Sequence, residues 1–231
     1  MKSIAISQSN YIPWKGYFDM IASVDEFVLY DDVQYTRRDW RNRNKIKTPS
    51  GVQWLTVPVE VKGKYRQTIR DAVLSDKRWA KSHWRVLFLN YKKANFFNEI
   101  ADWLEPIYLQ KNFETLSDLN RYLIEEICGY LGIKTVISSS SDYFLLNDRN
   151  ERLASICEQA GATCYISGPA AKVYLSMDPF KQRKVRVNWF NYAEYPQYDQ
   201  LWEGFEHRVS ILDLLFNCGA NSRKYLRQVN E

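Results

Sequence analysis

Several kinds of functional site are disfavoured by what this sequence has in short supply. It contains two histidines, His83 and His207, and its four cysteines include no pair with Cys-x-x-Cys spacing. A His-rich metal site therefore has too few ligands, and a cysteine nucleophile has few bases to pair with. We expect small buried cysteines in a reducing compartment, and no metal site.

Long apolar runs and the common phosphate-binding loops are also missing. No apolar run approaches the roughly 20 residues that span a bilayer. Neither a Walker A loop nor a Gly-x-Gly-x-x-Gly fingerprint occurs. The amino-terminal residues turn polar too soon for a secretory signal. We therefore expect a cytoplasmic protein without membrane insertion.

What is present is typical of a folded chain with a mildly basic charge. The 231 residues are 45% hydrophobic and 15% aromatic, enough for a full core. Lys and Arg number 32 against 27 Asp and Glu, which gives a net charge of +5. This balance suits a nucleotide or a sugar phosphate as partner, and does not require nucleic acid.

Strand and helix patterns alternate along the chain. Apolar alternation predicts strands at 2–7, 26–30, 134–138, 163–166 and 185–190, and a hairpin at 45–61. Helical periodicity predicts helices at 17–23, 76–91, 95–109, 115–131, 147–160 and 210–216. This order favours an α/β fold, with a mainly parallel Rossmann-like sheet and flanking helices. We expect a single domain over 1–231 with a helical insertion at about 75–131.

The most informative stretch is 31–44, which begins with two aspartates and then contains four arginines, two asparagines and a glutamine. It follows an apolar run at 27–30 that is typical of a buried strand. A second polar segment, 8–15, follows the first predicted strand. Because ligands of βαβ units bind at the carboxyl ends of the strands, both segments are predicted to form one site for a polar, anionic substrate.

Three residues in this region are candidate catalytic groups: Asp31, Asp32 and His83. Carboxylates at a strand end can act as a general base or hold a metal–phosphate pair. Local pairing of one of them with Arg37 or Arg38 is the alternative. His83 can also be a general base, although a histidine on an aromatic helix face is equally compatible with a hydrogen-bonded core residue.

Ten further residues are candidates for substrate binding. Arginine presents a planar fork to phosphate or carboxylate, and lysine adds a point charge. Small residues after a strand can cradle an anion through backbone N–H groups. Ordinary turn and surface structure is the alternative for each. The set is Gln8, Asn10, Tyr11, Gln34, Arg38, Arg43, Asn44, Ser167, Gly168 and Lys172.

The motifs resemble those of the WbqC-like protein family. The similar segments are, in order, 6–18, 31–35, 43–44, 54–58, 167–168 with Lys172, and 210–217. The resemblance implies a transferase of bacterial surface polysaccharide (O-antigen, lipopolysaccharide) biosynthesis, which moves an acyl or aminoacyl group onto an amino sugar. His207 stands where the family pattern leads us to expect proline, which argues against a catalytic role for it.

We therefore expect a transferase acting on a nucleotide-linked amino sugar. The arginines and Lys172 would hold the diphosphate, and Asp32 or His83 would take a proton from the sugar amine as it attacks the donor. The donor group can arrive on coenzyme A, on a carrier protein or as an adenylate. The sequence identifies no cofactor and leaves these three sources open.

Two alternatives remain at this point. The first is a Mg²⁺-dependent nucleotidyl or adenylyl transferase, because the strand, the loop and Gly16 resemble nucleotidylyltransferases, although their His-x-x-His motif is missing. The second is a non-catalytic sugar-binding subunit. Its eight tryptophans and sixteen tyrosines would act as stacking platforms.

Overall fold

In the computed structural model, which describes residues 1–229, seven strands and seven helices alternate along the chain. The strands are β1 (Ser3–Ser7), β2 (Glu26–Leu29), β3 (Arg43–Thr48), β4 (Gly51–Thr56), β5 (Val136–Ser139), β6 (Cys164–Ser167) and β7 (Arg186–Trp189). The helices are α1 (Lys15–Ala22), α2 (Trp79–Tyr91), α3 (Phe97–Leu109), α4 (Leu116–Leu131), α5 (Arg149–Gln159), α6 (Asp178–Gln182) and α7 (Ile211–Cys218).

Five of the strands form one parallel sheet in the order β5-β2-β1-β6-β7. This confirms the predicted α/β class with flanking helices. Strand β1 is fully apolar in its centre, where Ile4 and Ala5 are completely buried, as expected of a strand covered on both faces. The chain runs from β1 to β2 on one side, and β6 lies on the other side of β1. The strand order therefore reverses next to β1, which makes a topological switch point.

Strands β3 and β4 confirm the hairpin predicted at 45–61, and their turn lies at Pro49 and Ser50. Gly51 begins β4 with a φ of +101°, a conformation that glycine adopts without strain. From Arg41 into β3, side chains alternate between the two faces of the arm. Asn42 and Asn44 are buried, whereas Arg41 and Arg43 are half-buried. The extended arm therefore keeps its amides inside and its arginines toward the rim.

Three consecutive helices, α2 to α4, lie within the predicted insertion at about 75–131. Helix α4, predicted at 115–131, is preceded by Thr115, whose hydroxyl accepts from the Asp118 amide, and is followed by Gly132 in the left-handed conformation. Helix α2, predicted from 76, begins at Trp79, since Asp76 accepts from the Arg78 amide in the preceding turn and does not cap the helix. That residues 1–231 form a single domain stays a prediction. No helix among residues 1–229 is long and apolar enough to cross a membrane.

His83 lies inside the packing of α2 against the rest of the core. It is 7% exposed, its Nδ1 lies 2.9 Å from the Tyr11 hydroxyl, and its ring contacts Trp79 edge-on. The Tyr11 hydroxyl also bonds the Tyr108 hydroxyl at 2.7 Å. Burial lowers the pKa of His83 to about 4. The imidazole is therefore neutral at pH 7 and serves as a core residue with hydrogen-bond partners.

The buried imidazole predicts a specific loss of stability in acid. The unfolded chain binds a proton on His83 below its ordinary pKa near 6.5, whereas the folded chain does so only near 4. The folded state therefore binds fewer protons between these values, and stability falls as the pH drops through that window. Between pH 6.5 and pH 4, the free energy of unfolding measured in urea should fall by about 3 kcal/mol more in wild type than in His83→Gln.

His207→Gln is the matched control and should keep most of the wild-type pH dependence. Equal pH dependence of wild type and His83→Gln would contradict the buried neutral imidazole.

Candidate functional site

The loop between β1 and α1 forms the centre of the carboxyl edge of the sheet, where both polar segments meet. Ile12 in this loop has a φ of +38°, an unusual conformation for a β-branched residue. The buried Asn44 amide holds it by donating to the carbonyl oxygens of Tyr11 (3.2 Å) and Ile12 (2.9 Å). The Tyr11 amide donates in turn to the Trp40 carbonyl at 3.1 Å. Backbone strain of this kind persists only where the surroundings enforce it.

Arg41 connects two points of the same loop. Its guanidinium donates to Oε1 of Gln8 at 2.8 Å and to Oδ1 of Asn10 at 3.0 Å. The nearest carboxylate oxygen, of Asp39, lies 3.7 Å from Nη2. The arginine therefore fixes both amide side chains, and its positive charge is close to, but only weakly paired with, one carboxylate.

Asn10 faces the larger of two neighbouring cavities, which has a volume of about 700 Å³. Four aromatic side chains dominate its walls. The Trp14 ring lies 5.6 Å from Tyr192 and 5.5 Å from Tyr195, and Trp40 lies at the rim, 5.3 Å from Trp54. Its lining is Asn10, Pro13, Trp14, Trp40, Asn44, Tyr192, Glu194, Tyr195, His207 and Arg208. Flat aromatic faces beside a few polar groups are typical of a sugar-binding surface.

The titratable groups of the larger cavity are Glu194, His207 and Arg208. Glu194 is exposed and has a φ of +64°, an uncommon conformation for a residue other than glycine. His207 packs its ring against Phe205, and burial, followed by the nearby Lys15 ammonium, lowers its pKa. The cavity therefore holds a carboxylate and an imidazole that is mostly neutral at pH 7.

The wall that carries these groups is the irregular segment 190–209, held down by buried charges. Lys15 donates to the Pro196 carbonyl (2.7 Å), and Asp19 accepts from the Tyr195 hydroxyl (2.7 Å). Lys47 donates to the carbonyls of residues 202 and 204. Burial lowers the pKa of Lys15 to about 8. The segment is long and without regular structure, but each anchor is a charge-assisted hydrogen bond.

Gln8 lines the second cavity, of about 490 Å³, which we call the switch-point cavity. It opens where the carboxyl ends of β1, β2 and β6 meet the first turn of α5. Its lining is Ile6, Ser7, Gln8, Tyr30, Val33, Gln34, Arg149, Arg152, Leu153, Tyr165, Ser167, Gly168, Ala170, Ala171, Tyr174 and Leu175. A Cβ atom on Gly168 would lie 3.9 Å from the hydroxyl of Tyr192, a residue of the larger cavity. The two cavities thus adjoin at Arg41 and again at Gly168.

The two aspartates at the end of β2 are occupied by partners within the protein. The Asp31 carboxylate is 2% exposed and accepts from the Ser9 amide (2.8 Å) and the Ser117 hydroxyl (2.6 Å). Burial raises its pKa. Asp32 accepts from the Ser140 hydroxyl (2.6 Å) and pairs with Arg70 (2.9 Å). Among the described residues that line the two cavities, neither appears. Their catalytic role stays a prediction.

The structure brings together six of the ten predicted binding residues. Asn10 and Asn44 line the larger cavity, and Gln8, Gln34, Ser167 and Gly168 line the switch-point cavity. Tyr11 is completely buried, so its contacts are with the core.

Three basic residues of the predicted set lie elsewhere. Arg43 stacks on the Trp54 ring at 4.1 Å, behind the rim of the larger cavity. Arg38 is exposed, with a φ of +57°, and not semi-buried as its neighbour Trp40 indicates. Lys172 is exposed and lies over the Trp189 ring at 5.7 Å.

Sequence reasoning missed the arginines and aromatics that the tertiary structure adds. Arg149 and Arg152 look like ordinary surface residues of an amphipathic helix, and only their position at the first turn of α5, after the Asp148 cap, connects them with strand ends. Trp14 had a detectable signal. Gly16 leaves the space that the Trp14 indole occupies, since a Cβ there would clash with the ring. The residues of segment 190–209 have no local signal of this kind.

The sequence profile of the WbqC-like protein family matches residues 8–225. The chain is also 58% identical over 227 residues to a protein of Mycobacterium tuberculosis described as uncharacterised, and the alignment covers 98% of each chain. No solved structure matches it. The region matched by the family profile includes the larger cavity, all of the switch-point cavity except Ile6 and Ser7, and almost all of the motifs discussed above. The chain therefore belongs to the WbqC-like protein family.

Proposed function

We propose that this protein is a cytoplasmic transferase of bacterial surface polysaccharide biosynthesis that moves an acyl or aminoacyl group onto a nucleotide-linked amino sugar. Membership of the WbqC-like family suggests a role related to polysaccharide biosynthesis. The amino sugar, the acyl group and the carrier of that group belong to the proposal.

The observation that carries the proposal is the position of Arg41 between two cavities of different chemistry. The larger cavity is mainly aromatic and has one arginine, Arg208, whereas the switch-point cavity has two. Arg41 bonds one loop residue from each cavity, Asn10 and Gln8. Reactions between two bound groups gain much of their rate from being held in contact. A wall only one loop thick between two sites supplies this proximity.

The larger cavity supports a sugar with a reacting amine. Its indole and phenol faces suit the C–H faces of a pyranose, and Asn10 suits its hydroxyls. As the amine nitrogen attacks the acyl carbonyl carbon, it must lose a proton, and the carrier leaves with the bonding electron pair. Glu194 and His207 are the cavity residues that can accept this proton. Glu194 is the stronger candidate, because an anionic carboxylate also attracts the protonated amine.

The nucleotidyl-transfer alternative is less well supported by the contacts. It assigns Mg²⁺ to Asp31 and Asp32, but both carboxylates already accept hydrogen bonds from protein donors. No group of three or more His, Cys, Asp and Glu residues within 1–229 is arranged to hold a metal ion. The sugar-binding subunit remains the non-enzymatic alternative, and it shares the larger cavity with the main proposal.

Removing the indole at the rim should weaken sugar binding. Trp40→Ala deletes a stacking face that is 40% exposed, so we expect the variant to fold. Titration of dTDP- and UDP-amino sugars by calorimetry should show about tenfold weaker binding, which corresponds to ~1.4 kcal/mol. Phe144→Ala removes an aromatic ring that is 74% exposed and lies outside both cavities, and it should leave the affinity unchanged. Equal losses in both variants would argue against a sugar in the larger cavity.

Replacing one candidate base at a time shows which residue accepts the proton. Glu194→Gln should reduce transfer about 100-fold while nucleotide-sugar binding is kept, since a neutral amide cannot accept the proton. Transfer is measured as the mass gained by the amino sugar after incubation with acyl-coenzyme A thioesters.

Asp32→Asn and His83→Gln test the sequence-based assignment in the same assay. Loss of turnover in either of them, with full activity in Glu194→Gln, would return the base to Asp32 or His83. Unchanged turnover in all three variants would contradict general-base catalysis by any of these residues.

A further inference from the structure

Two arginines of the switch-point cavity have no carboxylate partner. The Arg149 guanidinium stacks over the Tyr174 ring at 4.0 Å. Arg152 donates to the carbonyl oxygens of Leu146 and Asn147 and to the Tyr30 hydroxyl, which are all neutral acceptors. Among the ion pairs of residues 1–229, none includes Arg149 or Arg152. Two uncompensated positive charges in one concave site favour an anion with more than one charge.

The positions of these two arginines on α5 place both guanidinium groups on the same side of the helix. Arg149 and Arg152 are three residues apart in the first turn of α5, so they project from one side of the helix. The backbone amides at that helix end are already capped by the Asp148 carboxylate, at 2.9 Å for both Asn150 and Glu151. The positive character of the cavity therefore comes from the two guanidinium groups.

The rest of the cavity suits a nucleoside better than a free inorganic anion. Leu153, Tyr165 and Leu175 give it an apolar wall, and its volume of about 490 Å³ is several times that of a phosphate group. The polar groups that remain, Gln34 and Ser167 among them, suit ribose hydroxyls or base edges. The cavity lies at the point where the strand order reverses, which is the usual ligand position in open α/β sheets.

We propose that the switch-point cavity binds a nucleoside diphosphate, with Arg149 and Arg152 on its phosphates and the apolar wall against its nucleoside. The inference rests on the proposed function in one respect, namely that this nucleotide is the one linked to the sugar. The Gly168–Tyr192 approach then marks the passage from the diphosphate to the sugar in the larger cavity. Lys172 and Arg38, predicted from the sequence to hold the diphosphate, take no part.

Calorimetric titration of the full-length protein with UDP, dTDP, GDP and ADP tests the assignment. At least one of them should bind with a Kd below about 1 mM. Arg149→Ala should weaken it about tenfold, and Arg149→Ala with Arg152→Ala at least about 30-fold, because each removes a charge-assisted contact. Arg78→Ala is the matched control. Arg78 is exposed, pairs with Asp76 and does not line the switch-point cavity, so this variant should bind as wild type does.

The single Arg149 variant keeps the test valid if the double variant fails to fold, because Arg149 makes no hydrogen bond to the loop before α5 while Arg152 makes two. Inorganic pyrophosphate should bind at least tenfold more weakly than the preferred nucleotide. Absence of binding by all four nucleotides at millimolar concentration, pyrophosphate binding as tight as theirs, or equal binding by wild type and Arg149→Ala would overturn the inference.

Failure of the inference and failure of the proposed function give different results. If a nucleotide sugar binds and is acylated while both arginine variants behave as wild type, only the assignment of the switch-point cavity is wrong. If free nucleoside diphosphate binding depends on the arginines but no amino sugar is acylated, only the proposed transfer is wrong.

Discussion

The loop after β1 can keep its shape only if other parts of the chain satisfy its backbone. It connects a buried strand with α1 and has no regular structure of its own, so its N–H and C=O groups need partners outside the loop. Asp31 from the end of β2, Asn44 from the hairpin and the Tyr17 hydroxyl from α1 supply them. The left-handed Ile12 is enforced by this arrangement. Both cavities are built on that loop, so the hydrogen bonds that hold it determine the site.

A second layer of buried charge positions the wall of the larger cavity. Lys15, Asp19, Lys47 and Asp213 are each at most 5% exposed, and all bind segment 190–209 or its flanking residues. Burying a charge costs free energy unless it is paired with good geometry, and breaking one such contact leaves an uncompensated charge. These contacts therefore select one conformation for a segment that has no helix or strand to define it. The positions of the side chains that segment 190–209 contributes to the larger cavity depend on this selection.

The fold was largely readable from the sequence, whereas the site was readable only in part. Periodicity gives the parallel sheet, and the alternation of Asn42, Arg41, Asn44 and Arg43 gives the inner and outer faces of the arm, because both depend on neighbours in sequence. Asp31 could not be assigned in this way, since a buried carboxylate that supports a loop and one that contacts substrate share the same sequence pattern. Arg152 was missed because its partner after β2, the Tyr30 hydroxyl, is 122 residues away in the sequence.

The two cavities at the carboxyl edge of the sheet are lined by different kinds of side chain. Flat aromatic faces are stable when they pack against one another, as Trp14 does with Tyr192 and Tyr195. Unpaired guanidinium groups need solvent or an anion near them. Guanidinium groups also stack on rings here, as Arg149 does on Tyr174, so the two cavities differ in the proportion of rings and charges and not in keeping them apart. One loop separates the cavities, and Arg41 bonds a residue of each, Asn10 and Gln8. The loop keeps one shape because partners hold it from both sides: Asn44 lines the larger cavity, whereas Asp31 and Tyr17 line neither cavity.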